Sequence, residues 1–400
     1  MAQIKRTRFT LAIETAFFSL IIFSSQALRT TAAPNPRIVF TSDRDGNSEV
    51  YIANIDGSNP INLTNNPAND IGASWLPDGS KISFASDRTG NLDVFTINAD
   101  GTSLVNLTNS PADEGPPISS PDSSKFITAR NNGSTYSGII MNADGSIIYE
   151  SSAENYINGP TWWSSDSTKV VGMTQVGGYY QVYTMNADGT NQQVVTSGSL
   201  LHTFPTISPD GTKIAYFVHD GNISPAEIYV ANIDGSNPTS ITVSSPTPSS
   251  SGTILWSPDG SKLLYSSDVD GNLDVYSVSS SGGTATNLTN NSGNNGAIWL
   301  SNSQIILETD TDGNKEINIM NADGSNKVNI TNSSGADSIY FNAVFTGSED
   351  VTTPPQVVTP TPPKTGKLIG ATIATISLIS IILLLAKEIK AKHHTWGGER

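Results

Sequence analysis

From Ile38 onward one unit is written repeatedly along the chain. It is clearest as IVFTSDRDGNSEVYIANIDGSNPINLTNNPANDIGASWLPDGS, and it starts again at Ile82, Phe126, Val170, Ile214, Leu263 and Ile305, at intervals of 44, 44, 44, 44, 49 and 42 residues. Self-similarity at such a period restricts the chain to an architecture of stacked, nearly identical modules. Each copy carries four short β-patterned segments, in the first copy Ile38 to Thr41, Val50 to Asn54, Pro60 to Thr64 and Gly72 to Leu76. Between and after them fall Asp45-Gly46-Asn47, Ile55-Asp56-Gly57-Ser58, the loop Asn65 to Ile71, and Pro77-Asp78-Gly79. Asp-Gly and Gly-Asn pairs supply the positive φ that tight hairpin turns require.

Four strands per copy, repeated around an axis, predict an all-β propeller of four-stranded blades. The first copy begins with a blade's second strand, and the repeats end in an unpartnered segment, Ile339 to Phe345. That segment is expected to supply the innermost strand of the first blade, so the C-terminal strand closes a ring of seven blades. Six is the alternative if the copy from Phe126 or the last copy is irregular. Closure of this kind removes open sheet edges.

The 400-residue chain has 36% hydrophobic residues and only 14% charged, enough apolar content for a sizeable core in a turn-rich fold. Between Pro34 and Asp350 there are 11 Lys or Arg against 33 Asp or Glu, a balance of −22. Like charge opposes a phosphate backbone, so nucleic acid is excluded as a partner. Cysteine is absent, which excludes disulfides, thiolate metal sites and cysteine nucleophiles.

The ends suggest where the body sits. Lys5, Arg6 and Arg8 precede an apolar run from Thr15 to Phe23, with small residues at Ser25-Gln26-Ala27 and Thr31-Ala32-Ala33. The pattern is that of a secretory signal peptide, 1–33, or of an uncleaved signal anchor. A second uncharged run, Leu368 to Ala386, is long enough for a membrane helix, and Lys387, Lys390 and Lys392 follow it as a cytoplasmic flank. The expected order is signal 1–33, propeller 34–346, Pro/Thr-rich stalk 347–367, membrane segment 368–386 and basic tail 387–400.

At the stalk's end, Pro362-Pro363-Lys364-Thr365-Gly366 ahead of an apolar span and a basic tail resembles the sorting signal of sortase-anchored wall proteins. The resemblance places Pro363, Thr365 and Gly366 on the motif, with the Thr365–Gly366 bond as the one a sortase cuts. Pro362 stands where that family has Leu. The alternative is a plain transmembrane anchor. Both readings put the propeller on the cell surface.

Within the repeats, Trp256-Ser-Pro-Asp-Gly260, Ser42-Asp-Arg-Asp-Gly-Asn47 and Asn98-Ala-Asp-Gly101 resemble the WD40-like repeats of TolB-type propellers, over about Arg37 to Phe345. The resemblance implies the propeller fold; binding platforms, enzyme lids and a few enzymes share it. Lyases of this kind hold a divalent metal with several histidines, whereas the body here has two, His202 and His219. His202 is expected in a loop between blades and His219 in a hairpin turn, both as surface residues without a ligand role. No Gly-x-Ser-x-Gly elbow occurs.

Calcium is the one cofactor with a candidate loop: Asp310, Asp312, Asn314 and Glu316 place oxygen ligands at alternate positions. Similar sets occur at Asp43, Asp45, Asn47 and Glu49, and at Asp268, Asp270, Asn272 and Asp274. Each also falls where a hairpin must turn, so turn chemistry is the competing explanation. Asn62-Leu-Thr64, Asn106-Leu-Thr108 and Asn287-Leu-Thr289 match the glycosylation acceptor, but they recur because the repeat does. Trp75, Trp256 and Trp299, with Trp162 and Trp163 at the matching place, are expected in packing between blades.

In such blades the first and third turns share one face, and the second turn and inter-blade loop share the other. Length variation falls on the latter, at Asp220 to Ala226 and Val243 to Gly252, the longest copy. Loops that vary on a rigid scaffold carry recognition. His219, Asp220, Asn222 and Pro225, with the channel mouth, are therefore the expected binding-face residues. The sequence thus predicts a non-enzymatic binding module for an extracellular or envelope protein or polysaccharide. A structural envelope protein and a carboxylate-based hydrolase or lyase are the alternatives.

Overall fold

The computed structural model describes residues 36–345 apart from 134, 152–158, 222–225, 243–247, 250–252 and 270. The described strands form seven antiparallel sheets. Numbered in chain order by their second strands, blade 1 runs outward through Arg37–Ser42, Glu49–Asn54 and Ile61–Asn62. Blade 2 is complete in sequence, from Asp70–Trp75 through Lys81–Ser86 and Asp93–Asn98 to Val105–Asn106. Blades 3 to 7 repeat this order, with second strands Lys125–Asn131, Lys169–Val176, Lys213–His219, Lys262–Ser267 and Gln304–Thr309. The expected seven-bladed, four-stranded propeller is what the chain forms.

Blade 1 lacks an innermost strand of its own. Asp337–Ser338 and Val344–Phe345 take that place against Arg37–Ser42, with Ser42 opposite Asp337 and Arg37 opposite Phe345. The closing segment is therefore a strand in two short pieces, where one strand over Ile339 to Phe345 was expected. Residues Ile339 to Ala343 leave the sheet between the pieces. Both described ends, Arg37 and Phe345, lie on the face of the first and third turns.

The core lies between blades. Val39, Val50 and Ile52 of blade 1 pack on Ala73, Trp75, Ile82, Phe84 and Phe95 of blade 2 in one buried cluster. Each fully buried side chain of this kind contributes about 1.5–3 kcal/mol, so a blade is stable only between two neighbours. The tryptophans do the expected work with an added polar link. Trp163 Nε1 donates to Ile118 O of blade 3 and Trp299 Nε1 to Leu255 O of blade 6, each 3.1 Å away on the preceding blade.

Turn chemistry recurs with the same atoms. In the third turn Asp56 Oδ1 accepts from Ser58 N (3.0 Å) and Ser58 Oγ (2.6 Å), while Asn54 Nδ2 also donates to Ser58 Oγ. Asp100, Asp144, Asp188, Asp234 and Asp323 repeat it. The glycine that follows is fixed twice over. Gly57 has φ +82°, and a Cβ there would sit 1.8 Å from Ile330 O of blade 7. Where Pro-Asp-Gly is replaced, Ser123 and Ser167 adopt φ 60° and lend their hydroxyls to the N–H of Asp78 and Asp122 on the preceding blade.

Gly57→Ala is expected to lower the unfolding free energy by about 3 kcal/mol, because left-handed strain and a backbone clash add. Gly46→Ala, at φ +108° with no atom within 4 Å, meets only the strain, about 1–2 kcal/mol. Equal losses in denaturant unfolding would show that the blade contact at Gly57 is immaterial. The turn aspartates set an acid limit. Asp56, Asp100, Asp144, Asp188, Asp234 and Asp323 are held below their ordinary value by the Ser or Thr hydroxyl two residues on. Ser257 and Ser261 hold Asp259 down to about 2. Groups depressed on folding contribute fully above the unfolded value of about 3.9 and lose that contribution as pH falls toward the folded value. The thermal midpoint should hold level down to about pH 4 and then drop steeply toward pH 2; a midpoint unchanged over that interval would contradict it.

Candidate interaction face

The second turns and inter-blade loops gather on the face opposite the chain ends. Their carboxylates are arranged by a clamp that recurs in blades 1, 2, 6 and 7. In blade 1 the Thr64 hydroxyl donates to the buried Glu49 carboxylate and accepts from Val50 N, while Asn66 N donates to Glu49 Oε1. Asp93 with Thr108, Asp274 with Thr289, and Glu316 with Thr331 repeat the arrangement. The acid begins a blade's third strand, and the Thr fixes the chain leaving the fourth. The Asn-Leu-Thr matches are part of this clamp. Asn62 Oδ1 accepts from Thr64 N and Asn65 N, and its amide donates to Asp45 Oδ2 at 3.0 Å.

The same clamp pulls the candidate calcium loop apart. Asp310 Oδ1 accepts from Asn294 N (2.6 Å), latching the entry to its blade's innermost strand, while Glu316 accepts from Ser333 N and Thr331 on the outer side. Asn314 Nδ2 donates to Gly335 O at 2.6 Å and to Glu316 Oε1. Asp312 points to solvent. In the parallel loop Asp43 Oδ1 accepts from Ala336 N and Asp45 from Tyr51 and Asn62. Among the described residues no three His, Asp or Glu side chains gather at one point. Asp270 lies outside them.

Three adjacent blades add an arginine. Arg44 Nη2 reaches both oxygens of Asp337 (2.9 and 3.0 Å), Arg88 Nη2 both oxygens of Asp70 (2.9 Å), and Arg130 Nε the Glu114 carboxylate (2.7 Å). All three acids are fully buried. The Arg44 and Arg88 guanidinium groups also lie 4.7 Å over Tyr51 and 4.9 Å over Phe95. Charge-assisted arginine contacts of this kind tie a hairpin to the innermost strand of its own blade.

Blades 3 to 5 depart from the clamp. In blade 4 the acid is replaced by Gln181, whose Oε1 accepts from Thr196 Oγ1 (2.9 Å) and from His202 Nδ1 (2.7 Å), while its Nε2 donates to Leu200 O (3.1 Å). The expectation that His202 is a surface loop residue is corrected here. It stands in the innermost strand Leu201–Ile207, 9% exposed, edge-on to Tyr216. Burial, and then His219, push its imidazole below the ordinary range, so it is neutral at pH 7. His219 ends the second strand Lys213–His219 and lies 3.3 Å from Thr203 Oγ1. The sequence Leu200-Leu201-His202 carries no alternation that would mark a strand start, whereas the buried Gln181 partner on the preceding blade decides it.

On this part of the face three apolar side chains stand in solvent: Val176 (49% exposed) and Tyr179 (39%) flank the Gly177-Gly178 turn, and Leu200 (43%) ends the next loop. Asp220 is at the adjoining turn. Asn222, Pro225 and most of Val243 to Gly252 lie outside the described residues, as do the signal segment, the stalk with Pro363, Thr365 and Gly366, and the segment 368–386. No helix among the described residues is long and apolar enough to cross a membrane. The channel behind the face is crossed by Tyr340 and Phe341, the residues that leave the closing strand. Tyr340 packs against Ile118 and Trp163, and Phe341 meets Trp162 edge-on at 4.9 Å.

Comparison with known proteins agrees with this architecture. Oligogalacturonate lyase in complex with manganese is 17% identical, with 73% of this chain and 84% of that one covered and a TM-score of 0.53. A puromycin-hydrolyzing peptidase of Mycobacterium tuberculosis is 14% identical over 65% of this chain and 46% of that one, TM-score 0.50. TolB from Acinetobacter baumannii is 17% identical over 62% of this chain, which spans 61% of that protein, TM-score 0.45. For the lyase and the peptidase, at these identities, the likeness is one of fold. No curated protein matches the chain. The family model of the TolB beta propeller domain matches residues 30–171 and again 164–350, and the chain belongs to that family.

Proposed function

We propose that the chain is an exported, surface-tethered binding propeller whose recognition surface is the second-turn face over blades 3 to 5, offered to an extracellular or envelope protein or polysaccharide. One observation carries the reading. Both described ends, Arg37 and Phe345, stand side by side on the opposite face, so a chain held by a C-terminal stalk turns the second-turn face outward. On that outward face the self-satisfied clamp of blades 1, 2, 6 and 7 gives way to exposed Val176, Tyr179 and Leu200. Apolar side chains on a rigid, polar-rimmed scaffold are the elements from which interface cores are built.

The anchoring part of the reading rests on the run Leu368 to Ala386, the basic residues after it, and the Pro363-Lys-Thr365-Gly366 motif. That the propeller acts by binding is supported by its buried hairpin carboxylates Glu49, Asp93, Asp274 and Glu316, which are engaged in latching a strand. Sharing a fold with a lyase and a peptidase does not transfer their chemistry.

The test is retention of envelope proteins and glycans on the full chain, compared between the natural sequence and a variant carrying Val176→Asp, Tyr179→Ala and Leu200→Asp. The variant should weaken a saturable partner by tenfold or more. A control with Val105→Asp and Val328→Asp, exposed on the outer rim, should leave it unchanged. Equal loss in both variants, or none in either, would place recognition elsewhere.

A further inference from the structure

The closing strand is held by a short, interrupted pairing. Its two pieces make four register pairs with Arg37–Ser42, whereas Arg37–Ser42 makes six with Glu49–Asn54 on its other side. Between the pieces the chain turns through Tyr340, Phe341 and Asn342, the last at φ 55°, a conformation asparagine tolerates. That turn enters the central channel and touches the innermost strands of other blades. The Ser74 hydroxyl of blade 2 donates to Phe341 O, and Trp75 N donates to Asn342 O at 3.0 Å. The Tyr340 hydroxyl donates to Pro116 O of blade 3 at 3.3 Å. Phe341 lies edge-on to Trp162 of blade 4 and packs with the cluster of Leu255 and Trp299, from blades 6 and 7.

The sequence around it makes room. Innermost strands elsewhere are single runs or bulged, as at Ile71/Ser74, Pro160/Trp162 and Thr203/Thr206. The innermost strand of blade 3 breaks in two at Gly115-Pro116-Pro117, and it is there that the Tyr340 hydroxyl lands. Trp162, next to the interblade Trp163, is the ring that faces the turn from across the axis and packs with clusters of three blade pairs.

We infer that the Tyr340–Phe341 turn is an axial bolt: side chains of the closing strand occupy the central channel and lock the ring from inside. Closure then rests on contacts to blades 2, 3, 4, 6 and 7 as well as on the short pairing within blade 1. Two consequences follow. The channel is a blind cup at the second-turn face and no ligand passes through it. Load applied to the chain beyond Phe345 reaches the aromatic contacts once the Val344–Phe345 pairing gives way, so the ring resists opening from its C-terminal end. The bolt itself does not depend on how the chain is anchored.

Amide hydrogen exchange on the full chain in detergent tests it. Phe341→Ala removes the contact with Trp162 while every paired residue of the closing strand stays in place. Exchange should rise tenfold or more at Val39 N, which donates to Ala343 O, and at Trp75 N, which donates to Asn342 O. The amides of Ile228 and Val230 in blade 5, whose buried cluster includes neither Phe341 nor Trp162, should keep their wild-type rates. Trp162→Leu, on the far wall of the channel, should open the same two amides. An effect of Trp162→Leu confined to blade 4, or a rise spread evenly over all seven blades, would overturn the bolt. Should Phe341→Ala fail to fold, Phe341→Leu is scored by the same amides and the same two outcomes.

Discussion

The pairing of the first described strand with the last governs the rest of the structure. A blade buries apolar side chains on both faces, so it needs a neighbour on each side, and only a closed ring supplies that to every blade. Here closure spans almost the whole described chain: Arg44 and Asp337 are 293 positions apart. Arg44 Nη2 meets both oxygens of Asp337, the carboxylate is fully buried, and the guanidinium stacks on Tyr51. Breaking such a pair from one side leaves a buried charge, at a cost of about 3–5 kcal/mol. Arg88–Asp70 and Arg130–Glu114 do the same within blades 2 and 3, so buried ion pairs line the arc that contains the ring's own seam.

Those ion pairs and the clamp divide the ring chemically. From blade 6 through blade 2, an acid at the start of the third strand and a Thr after the fourth satisfy each other. From blade 3 to blade 5 the acid is Ser137, Gln181 or the exposed Glu227, and Thr or Ser alone caps the strand. A neutral glutamine can serve two donors and still reach a carbonyl, which is how it draws His202 inward. The face is thus a rigid arc beside one whose loops are released from the repeat, the condition under which loops diverge without weakening the core.

Most of the fold was legible because the repeat states it seven times. Strand positions, turn residues and closure by the C-terminal segment all follow from periodicity and Asp-Gly chemistry, and the first-copy strands fall within a residue or two of their expected bounds. What periodicity cannot show is where a copy breaks. Ile339 to Phe345 alternates well enough to read as one strand, yet Tyr340 and Phe341 gain more by filling the channel than by extending a sheet. His202 is the same kind of case, since its burial is decided by Gln181 on the neighbouring blade. The candidate calcium loop is ambiguous in sequence for a related reason. Oxygen ligands at alternate positions are also what a hairpin needs to latch an inner strand with its first residue and an outer strand with its last.

The acidity of the propeller has a local origin as well. Its balance of −22 over 34–350 would oppose compaction if the carboxylates stood free. Many of them do not: the third-turn aspartates accept from a backbone N–H and a hydroxyl, the clamp acids from a threonine and a loop amide, and the innermost-strand acids from arginine. Each carboxylate substitutes for a backbone carbonyl at a place where the chain reverses and no strand partner is available. A blade of this repeat reverses direction four times in about 44 residues, so an acidic composition is the cost of building so many short strands without cysteine or long loops. Charge here is structural first, and the surface left for recognition is where that use of carboxylates stops, beside Val176, Tyr179 and Leu200.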